Sequence, residues 1–390
     1  MKNAQSLLDH LRENRREMVR FLENLAFAES PSSEPESQDR VLSILSSALT
    51  SIGYKSWRVR GRNSGGHLYA RPRRRMRQRP VQLLIGHCDT VWPLGTLEEM
   101  PVGVTDGVIR GPGVYDMKGG LTQMVFALKV LRELEIEPSV TPAVFINSDE
   151  EVGSRDSTRH IRRLARAAER AFVLEPSLGP KGKLKTARKS VGCFSVVVEG
   201  IAAHAGLDPE HGASAILELS YLIQTLFSLN DPERGTTVNV GTIEGGLGPN
   251  VVAPECSAVV DIRVRSHEDA RRVEDAIRSI EPVTPVVKLR IEGSFGRPPM
   301  ERTPRNRLLW EPARRLGAEI GLALEEAEAG GASDGNTTSQ YTATLDGLGA
   351  VGDGAHSRHE LVYAEKMVER AALLALLLME PSRYAERSAP

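Results

Sequence analysis

The order of strand and helix signals along the chain is the feature that most constrains its fold. Up to about residue 186, short apolar runs typical of buried strands, such as residues 81–85 and 142–146, alternate with helical segments. Between residues 187 and 297 the order changes to strand, helix, strand, strand, helix, strand. That order is typical of a split βαβ unit, which can stand as a domain of its own. A long helix signal near residue 302 then resumes the first pattern.

This order predicts an inserted domain. Strands that alternate with helices favour a largely parallel sheet covered by helices. We therefore predict an α/β protein with a mostly parallel sheet formed by residues 1–186 and 298–390, and an inserted α+β domain of the split βαβ, ferredoxin-like kind formed by residues 187–297. A chain of 390 residues is longer than one hydrophobic core usually serves, which agrees with two domains. Apolar residues at helical spacing predict one N-terminal helix over about residues 3–25.

The charge balance and the cysteine content limit the partners and the compartment. Because 50 Lys and Arg face 51 Asp and Glu, the net charge of −1 gives no general electrostatic attraction to nucleic acid or an anionic membrane. No apolar run approaches the ~18 residues of a membrane span, and the charged N-terminal residues are unlike a secretory signal. Three dispersed cysteines are too few for a disulfide framework or a cysteine zinc site. We expect a cytoplasmic protein that binds neither nucleic acid nor membrane.

One strong charge run, RPRRRMRQRP at residues 71–80, leaves two hypotheses open. It is either a patch for nucleic acid or another polyanion, or a solvated turn between two strands. The turn is favoured because the run has no interleaved aromatic residues and the net charge of the whole chain is near zero.

Histidines and carboxylates follow the predicted strands. The residues in question are His87, Asp89, Asp116, Glu150, Glu151, Glu175 and His356. Taken alone, a His-x-Asp pair is usually structural and a Glu-Glu pair is usually a solvated face. Ligand sites in open α/β sheets lie at the carboxyl ends of the strands, so we expect these separate segments to converge.

A convergent set of this composition predicts a metal centre. Carboxylates at close range destabilise one another unless a cation lies among them. Mixed histidine and carboxylate ligands suit zinc, and two ions that share a carboxylate satisfy more acids than one ion can. The residues therefore predict a dinuclear, co-catalytic hydrolase.

The motifs that carry these residues also resemble a known family. They are GHCDTVWP (86–93), RGPGVYDMKGG (110–120), NSDEEVGS (147–154), LEPS (174–177), AHAG (203–206), GGASDGN (330–336) and GAHS (354–357). In this order they resemble the two-zinc amidohydrolase family of glutamate carboxypeptidase, aminoacylase, acetylornithine deacetylase and succinyl-diaminopimelate desuccinylase. The likeness runs from about residue 80 to the C-terminus. It is greatest to the bacterial glutamate carboxypeptidases, through GPG (111–113) and AHAGLDPE (203–210).

The resemblance implies a ligand set. Asp116 would bridge two zinc ions, for which cobalt or manganese can substitute. His87 and Glu175 would complete the protein ligands of one ion, and Glu151 and His356 those of the other.

The resemblance also implies roles around the metals. Glu150 would be the general base, and the peptide bond after Asp116 would be cis. Asp89 would orient His87, a role that chemistry also favours because a carboxylate on the free ring nitrogen fixes the tautomer.

Further candidates lie in or near the inserted domain. By resemblance, His204 would cross a dimer interface and stabilise the oxyanion in the partner's site, while Arg263 and Asn250 would hold the substrate's carboxylate. Without the resemblance, His204 could be a turn residue and Arg263 an outward strand residue.

The loop GGASDGN would place Gly330 and Gly331 against the substrate. Alone it could suggest a phosphate cradle, but no Gly-Lys-Ser/Thr follows. Relatives often have GGTD where this chain has Ala332-Ser333-Asp334, which bears on the preference for the substrate's side chain.

Together these expectations define a function. We expect a zinc-dependent hydrolase that cleaves an amide next to a free carboxylate in a small, dipeptide-like substrate, as a glutamate carboxypeptidase does. An N-deacylase or desuccinylase is the alternative, and a non-catalytic binding protein on the same fold is a minor one. The inserted domain would serve as lid and homodimer interface. Cys88, on the opposite face of an extended segment from its two neighbours, is expected to be a buried hydrophobe and not a nucleophile.

Overall fold

A computed structural model describes residues 4–74 and 79–382, which divide into two structural units. The first unit comprises the residues up to Ala187, Arg302–Ala329 and the residues from Ser333 onward. The second comprises Arg188–Glu301 and the short segment Gly330–Ala332.

A six-stranded sheet organises the first unit. Its strands, in spatial order, are β1 (Tyr54–Val59), β2 (His67–Pro72), β6 (Thr141–Asn147), β3 (Val81–His87), β7 (Arg170–Val173) and β14 (Ala343–Leu345). β6, β3, β7 and β14 are mutually parallel, whereas β1 and β2 pair antiparallel at one edge. Every residue of β6 is buried, as expected for a strand covered on both faces. The predicted α/β class is confirmed, with a sheet that is mixed.

Helices cover this sheet. They are α1 (Ala4–Glu13), α2 (Arg15–Ala26), α3 (Gln38–Ser51), α4 (Gly119–Glu133), α5 (Thr158–Ala167), α8 (Pro304–Glu319), α9 (Asp334–Thr338) and α10 (Ala364–Met379). Twelve of the sixteen residues of α10 are buried, and its apolar residues pack with those of α1, α2, α3 and α4 into the largest core.

The prediction of one helix over residues 3–25 is wrong, because α1 and α2 are separate helices. The break lies at Asn14, whose Nδ2 donates to the carbonyl oxygen of His10 at 2.8 Å. An asparagine side chain that bonds to the main chain in this way competes with the helical pattern.

Two smaller sheets complete the first unit. One contains, in order, β15 (Gly352–Asp353), β16 (Leu361–Tyr363), β5 (Val108–Arg110) and β4 (Gly103–Thr105); the other pairs β13 (Glu326–Ala329) with β8 (Leu184–Arg188). The pairing of β16 with β5, in which Val362 faces Ile109, places the chain before β16 beside the loop after β5.

The second unit is an antiparallel sheet with two helices. Its elements in chain order are β9 (Ser190–Glu199), α6 (Ala215–Phe227), β10 (Thr237–Gly245), β11 (Glu255–Val264), α7 (His267–Arg278) and β12 (Lys288–Arg297). The spatial order β10-β11-β9-β12 is that of the split βαβ arrangement. The hydroxyls of Ser214 and Ser266 cap the two helices by accepting from the backbone N–H of Leu217 and Asp269.

The bounds of the second unit differ slightly from the predicted 187–297. The unit extends to Glu301 because Met300 and Arg188 exchange two backbone hydrogen bonds, at 2.9 and 3.0 Å. It also takes in the segment 330–332, where the carbonyl oxygen of Gly331 accepts from Nη1 of the buried Arg188 at 3.0 Å.

The described residues also bear on the arginine-rich tract and on membrane insertion. The tract joins β2 to β3; Arg79 pairs with Glu137 at 2.6 Å, Arg71 lies over the ring of Trp57, and positions 75–78 are outside the described residues. Within the described part of the chain, no helix has the length and apolar character needed to cross a bilayer.

Candidate active site

Parallel strands bring the predicted residues to one edge of the central sheet. His87 ends β3 and lies opposite Asn147, the last residue of the neighbouring β6. On the other side of β3, the N–H of Leu174 donates to the carbonyl oxygen of Ile85, and Glu175 follows directly. The parallel register therefore places the histidine and the acidic segments next to one another at the carboxyl ends of the strands, as the sequence predicts.

Asp89 connects His87 to the glutamate pair. Its Oδ1 accepts from the backbone N–H of Glu150 at 3.2 Å, and its Oδ2 accepts from the N–H of Glu151 at 3.1 Å and from the Ser32 hydroxyl at 2.7 Å. Nδ1 of His87 lies 3.0 Å from the carbonyl oxygen of Asp89 and 3.4 Å from its Oδ1. Burial raises the pKa of Asp89, but these hydrogen bonds outweigh it and hold the pKa below its usual value.

The loop after β5 places Asp116. Gly113, with φ of 72°, turns the chain where a Cβ atom would lie 2.6 Å from Thr90 Cγ2, so only glycine fits. The peptide bond between Asp116 and Met117 is cis, as the resemblance implies.

His356 is placed by a tight turn between β15 and β16. Its φ of 58° is left-handed, a conformation that non-glycine residues seldom adopt, and Gly354 is also left-handed. Its Nε2 lies 3.2 Å from Glu151 Oε2 and 3.7 Å from Asp116 Oδ2.

The two oxygens of Asp116 face different histidines. Oδ1 of Asp116 lies 3.3 Å from Nε2 of His87, and Oε1 of Glu175 lies 3.5 Å from the same nitrogen. Oδ2 of Asp116 instead faces His356, whose Nε2 is 3.7 Å away. Two ligands that are each about 2 Å from a tetrahedral zinc are about 3.3 Å from one another. The observed separations of 3.3–3.7 Å fit ligand atoms around shared cations.

One buried oxygen provides an independent test of this fit. Oε1 of Glu151 has no hydrogen-bond partner among the described residues. Burial raises the pKa of Glu151, and the neighbouring histidines offset this only in part. Buried polar atoms are normally satisfied, so an unpartnered carboxylate oxygen inside a histidine and carboxylate cluster fits a metal ligand.

The electrostatics of the histidines agree with a cation site. Burial would lower the pKa of His87, but hydrogen bonds to Asp116 and Asp89 raise it well above its usual value. The hydrogen bond to Glu151 raises the pKa of His356 to about 9, against the effect of burial. Positive charge is thus stabilised at both histidines by the surrounding carboxylates.

The remaining predicted residues lie in the second unit. Nδ1 of His204 accepts from the backbone N–H of Gly206 and of Leu207, both at 3.1 Å, so the ring closes a turn and its Nε2 is left as the donor. The carbonyl oxygen of Asn250 accepts from the N–H of Ala205 at 3.0 Å, which joins the two predicted segments.

Arg263, on β11, is half-buried and carries a carboxylate partner of its own. Its Nε and Nη2 donate to the two oxygens of Asp261 at 2.7 and 2.8 Å, in a bidentate pair.

Gly330 and Gly331 also belong to the second unit, although the predicted boundaries put them in the first.

Several buried charged residues around the site are absent from the predicted set, and the contacts of three of them bear on its geometry. Lys118, whose pKa burial lowers to about 8, donates to the carbonyl oxygen of Ala28 at 3.0 Å. Asp334 accepts from Ser154 Oγ at 2.6 Å and Asn147 Nδ2 at 2.7 Å, on either side of the glutamate pair. Glu360 accepts from the loop of Asp116. Two of them lie inside quoted motifs, but nothing in the sequence indicates which distant groups they meet.

The fold and the site together define a class of protein. An α/β unit with two histidines and several carboxylates at one sheet edge, in a chain that also forms a separate sheet unit, is the arrangement of a metallohydrolase. Residues 83–380 match the model of peptidase family M20/M25/M40. The chain therefore belongs to this metal-dependent family, and it is a metallopeptidase or amidohydrolase.

Individual relatives support this assignment. The chain is 26% identical over 374 residues to carboxypeptidase G2 of Pseudomonas sp. (strain RS-16), covering 93% of this chain and 89% of the relative. It is 29% identical over 318 residues to succinyl-diaminopimelate desuccinylase of Xanthomonas oryzae pv. oryzae (strain PXO99A), covering 77% and 83%. The structure of the YXEP protein of Bacillus subtilis, described as a dinuclear metal binding peptidase from the M20 family, matches with a TM-score of 0.67 at 13% identity, covering 94% of this chain and 98% of that one.

Replacement of Cys88 tests whether a thiol takes part in the chemistry. The side chain is fully buried in the core, and burial raises the pKa of the thiol. We expect Cys88→Ala to keep the wild-type kcat and to lower the free energy of unfolding by about 1 kcal/mol, as a typical core change does. Steady-state kinetics and chemical denaturation measure the two effects. Loss of turnover in a folded variant that retains its metal would make the thiol essential.

Proposed function

We propose that the protein is a dinuclear zinc hydrolase that cleaves an amide bond next to a free carboxylate, releasing a C-terminal glutamate from peptides or N-acyl amino acids. The observation that carries the two-metal proposal is the placement of the Asp116 carboxylate, with one oxygen towards His87 and the other towards His356. The likeness to carboxypeptidase G2 over 93% of this chain favours a carboxypeptidase. The motif resemblance to the bacterial glutamate carboxypeptidases favours glutamate among the possible products.

Five residues would hold the metals. His87 and Glu175 would bind one ion, Glu151 and His356 the other, and Asp116 both. We propose zinc, with cobalt or manganese as substitutes, because mixed nitrogen and carboxylate ligands suit these ions. When bound, such a pair polarises the scissile carbonyl and acidifies a water molecule.

Glu150 would move the proton. Its main chain is fixed by Asp89, as is that of Glu151, so the adjacent side chains can serve different partners. Glu151 faces His356, while Glu150 lies in a cluster with His87 and Glu175. We assign Glu150 to take a proton from water on its carboxylate and to return it to the leaving nitrogen.

Two other residues would support the reaction. Asp89 would orient His87 from the protein side, a common arrangement for metal-binding histidines. His204 would donate from Nε2 to the developing oxyanion, since its Nδ1 is occupied by two backbone N–H groups.

Recognition of the free carboxylate would fall to the second unit. Arg263 is the central candidate because its planar guanidinium can bind both oxygens of a carboxylate, as it already binds Asp261. Asn250 would add a hydrogen bond from its amide, and Gly330 and Gly331 would let the substrate approach the main chain.

A deacylase or desuccinylase is the second candidate. It is favoured by the 29% identity to a succinyl-diaminopimelate desuccinylase over 77% of the chain. In that case the acyl group, and not the C-terminal residue, would decide which substrate is cleaved.

Replacement of Glu150 tests whether this carboxylate is the base. Glu150→Gln keeps the shape of the side chain but removes the base, so kcat should fall by about 10²–10⁴-fold while two metal ions per chain remain bound. Kinetics with metal analysis of the same sample provide the measurement. Glu13→Gln, on an exposed face of α1, is the matched control and should behave as wild type. Full activity of Glu150→Gln would remove the assigned base.

A substrate panel separates the two candidate functions. Wild-type protein and Arg263→Lys are assayed on dipeptides with varied C-terminal residues, their C-terminal amides, N-acyl-glutamates, N-acetylornithine and N-succinyl-diaminopimelate. For a glutamate carboxypeptidase we expect glutamate to be preferred and the amides to be poor. Arg263→Lys should raise KM for the free acids by about tenfold, because a charge-assisted fork is lost. Preference for an acyl group regardless of the amine would favour the deacylase.

We further propose a homodimer formed by the second unit. β10 is an edge strand of its sheet, and most of its residues are exposed. Large apolar side chains are also exposed in this unit. Ile216, Leu217 and Tyr221 lie on α6, Ile243 lies on β10, and Leu247 follows β10. An exposed apolar patch beside an unpaired strand edge is typical of a surface that a second copy covers.

His204→Ala tests the oxyanion role, and the mass of the wild-type protein tests the dimer. We expect kcat to fall by about 10²–10³-fold, as for loss of one oxyanion donor, with metal content and oligomeric state unchanged. Light scattering gives the mass of the wild-type protein at assay concentration. A wild-type monomer with normal activity would contradict the dimer proposal.

We also propose a cytoplasmic location. All three cysteines are unpaired, and Cys88 and Cys256 are buried. Free thiols are typical of a reducing compartment.

A further inference from the structure

Glu360 is a deeply buried carboxylate that the proposed chemistry does not use. Its residue is 1% exposed, yet it accepts four hydrogen bonds. Oε1 accepts from the backbone N–H of Tyr115 at 2.8 Å and of Asp116 at 3.0 Å; Oε2 accepts from the N–H of Gly113 and from Trp92 Nε1, both at 2.9 Å. Since a carboxylate offers about four acceptor positions, every one of them is filled by a donor.

These bonds join three segments that carry proposed metal ligands. Trp92 follows His87 in the segment after β3. Three of the donors belong to the loop that ends at Asp116, and one of them is the N–H of Asp116 itself. Glu360 stands in the segment between His356 and β16. One side chain therefore ties together the main-chain segments of both histidines and of the aspartate between them.

The arrangement requires an ionised acceptor with two oxygens. Hydrogen bonds from N–H groups to a carboxylate are about twice as strong as neutral ones, and buried donors that lose their acceptor are costly. Glutamine in this position keeps one oxygen but turns an NH₂ group towards donors. The loop must then move or leave N–H groups unsatisfied, and either outcome shifts Asp116.

We propose that Glu360 is a positioning residue, which fixes the main chain of Asp116 relative to the His87 and His356 segments and thereby sets the affinity for the metal pair. This inference rests on the proposed function, because it takes Asp116 as the shared ligand. Both oxygens of Glu360 are occupied by the four donors, and its proposed effect on the metals is through the loop that carries Asp116.

The second unit offers a matched control. Glu218 is also fully buried, and its two oxygens accept from the backbone N–H of Val283 at 2.6 Å and Thr284 at 3.0 Å. Glu218→Gln removes the same kind of buried acceptor in the unit that contains none of the proposed metal ligands. It therefore reports what the loss of such an acceptor does to folding alone.

The test is zinc binding to the metal-stripped protein, titrated against a competing chelator, with thermal unfolding followed on the same samples. We expect Glu360→Gln to bind zinc about 10–100-fold more weakly than wild type, as is usual when a group that supports a ligand is lost. Glu218→Gln should unfold more easily but bind zinc with wild-type affinity. Trp92→Phe removes one of the four donors and should weaken zinc binding less than Glu360→Gln does.

Each outcome bears on the inference. Wild-type zinc affinity in a folded Glu360→Gln, or equal weakening by Glu218→Gln, would overturn the positioning role. If Glu360→Gln does not fold, Trp92→Phe decides, and unchanged zinc affinity in that variant overturns the proposal as well. If wild-type protein itself fails to bind two ions per chain, the proposed dinuclear function fails, which is distinguishable from failure of the Glu360 role.

Discussion

Mutual repulsion of buried carboxylates is the constraint on which this structure depends. The acids near the sheet edge are protected from this repulsion in two ways. Asp89 and Glu360 accept hydrogen bonds from N–H and O–H donors of the protein. These bonds hold the pKa of Asp89 below its usual value, whereas burial still raises the pKa of Glu360. Asp116 and Glu151 face histidines, and one oxygen of Glu151 has no hydrogen-bond partner among the described residues. The fold thus surrounds the acids that orient the main chain with hydrogen-bond donors and places the acids that can bind a cation against histidines.

Much of the site could be predicted because parallel strands impose a common edge. His87, the glutamate pair and Glu175 follow three neighbouring strands, and the register of β3 with β6 and β7 brings them to one level. Apolar runs mark such strands, so the positions were visible from the sequence alone. Hydrophobic periodicity assigns no chemical roles, however. The ligand set, the base and the cis bond came from the resemblance in motif order, and the roles remain proposals.

What the sequence could not supply are contacts between distant segments of irregular structure. Glu360 meets donors that lie 244 to 268 positions earlier in the chain, and no local pattern specifies which carboxylate closes such a loop. The same holds for Asp334, which bonds to residues 180 and 187 positions away. The break between α1 and α2 has a local cause that apolar periodicity does not reveal. Asn14 lies within an otherwise helical apolar pattern, and its bond to the carbonyl of His10 outweighs that pattern.

The division of residues between the two units suggests how chemistry and specificity can vary separately. The proposed metal ligands and base all belong to the first unit, whereas the candidates for binding the substrate's carboxylate belong to the second. The pairing of Arg263 with Asp261 limits how the specificity can vary. Asp261 already occupies Nε and Nη2 of the guanidinium, so a substrate carboxylate must use the remaining N–H groups or displace Asp261. In the first case Asp261 orients the arginine, since a paired guanidinium loses less freedom on binding. In the second it competes with the substrate for the half-buried guanidinium.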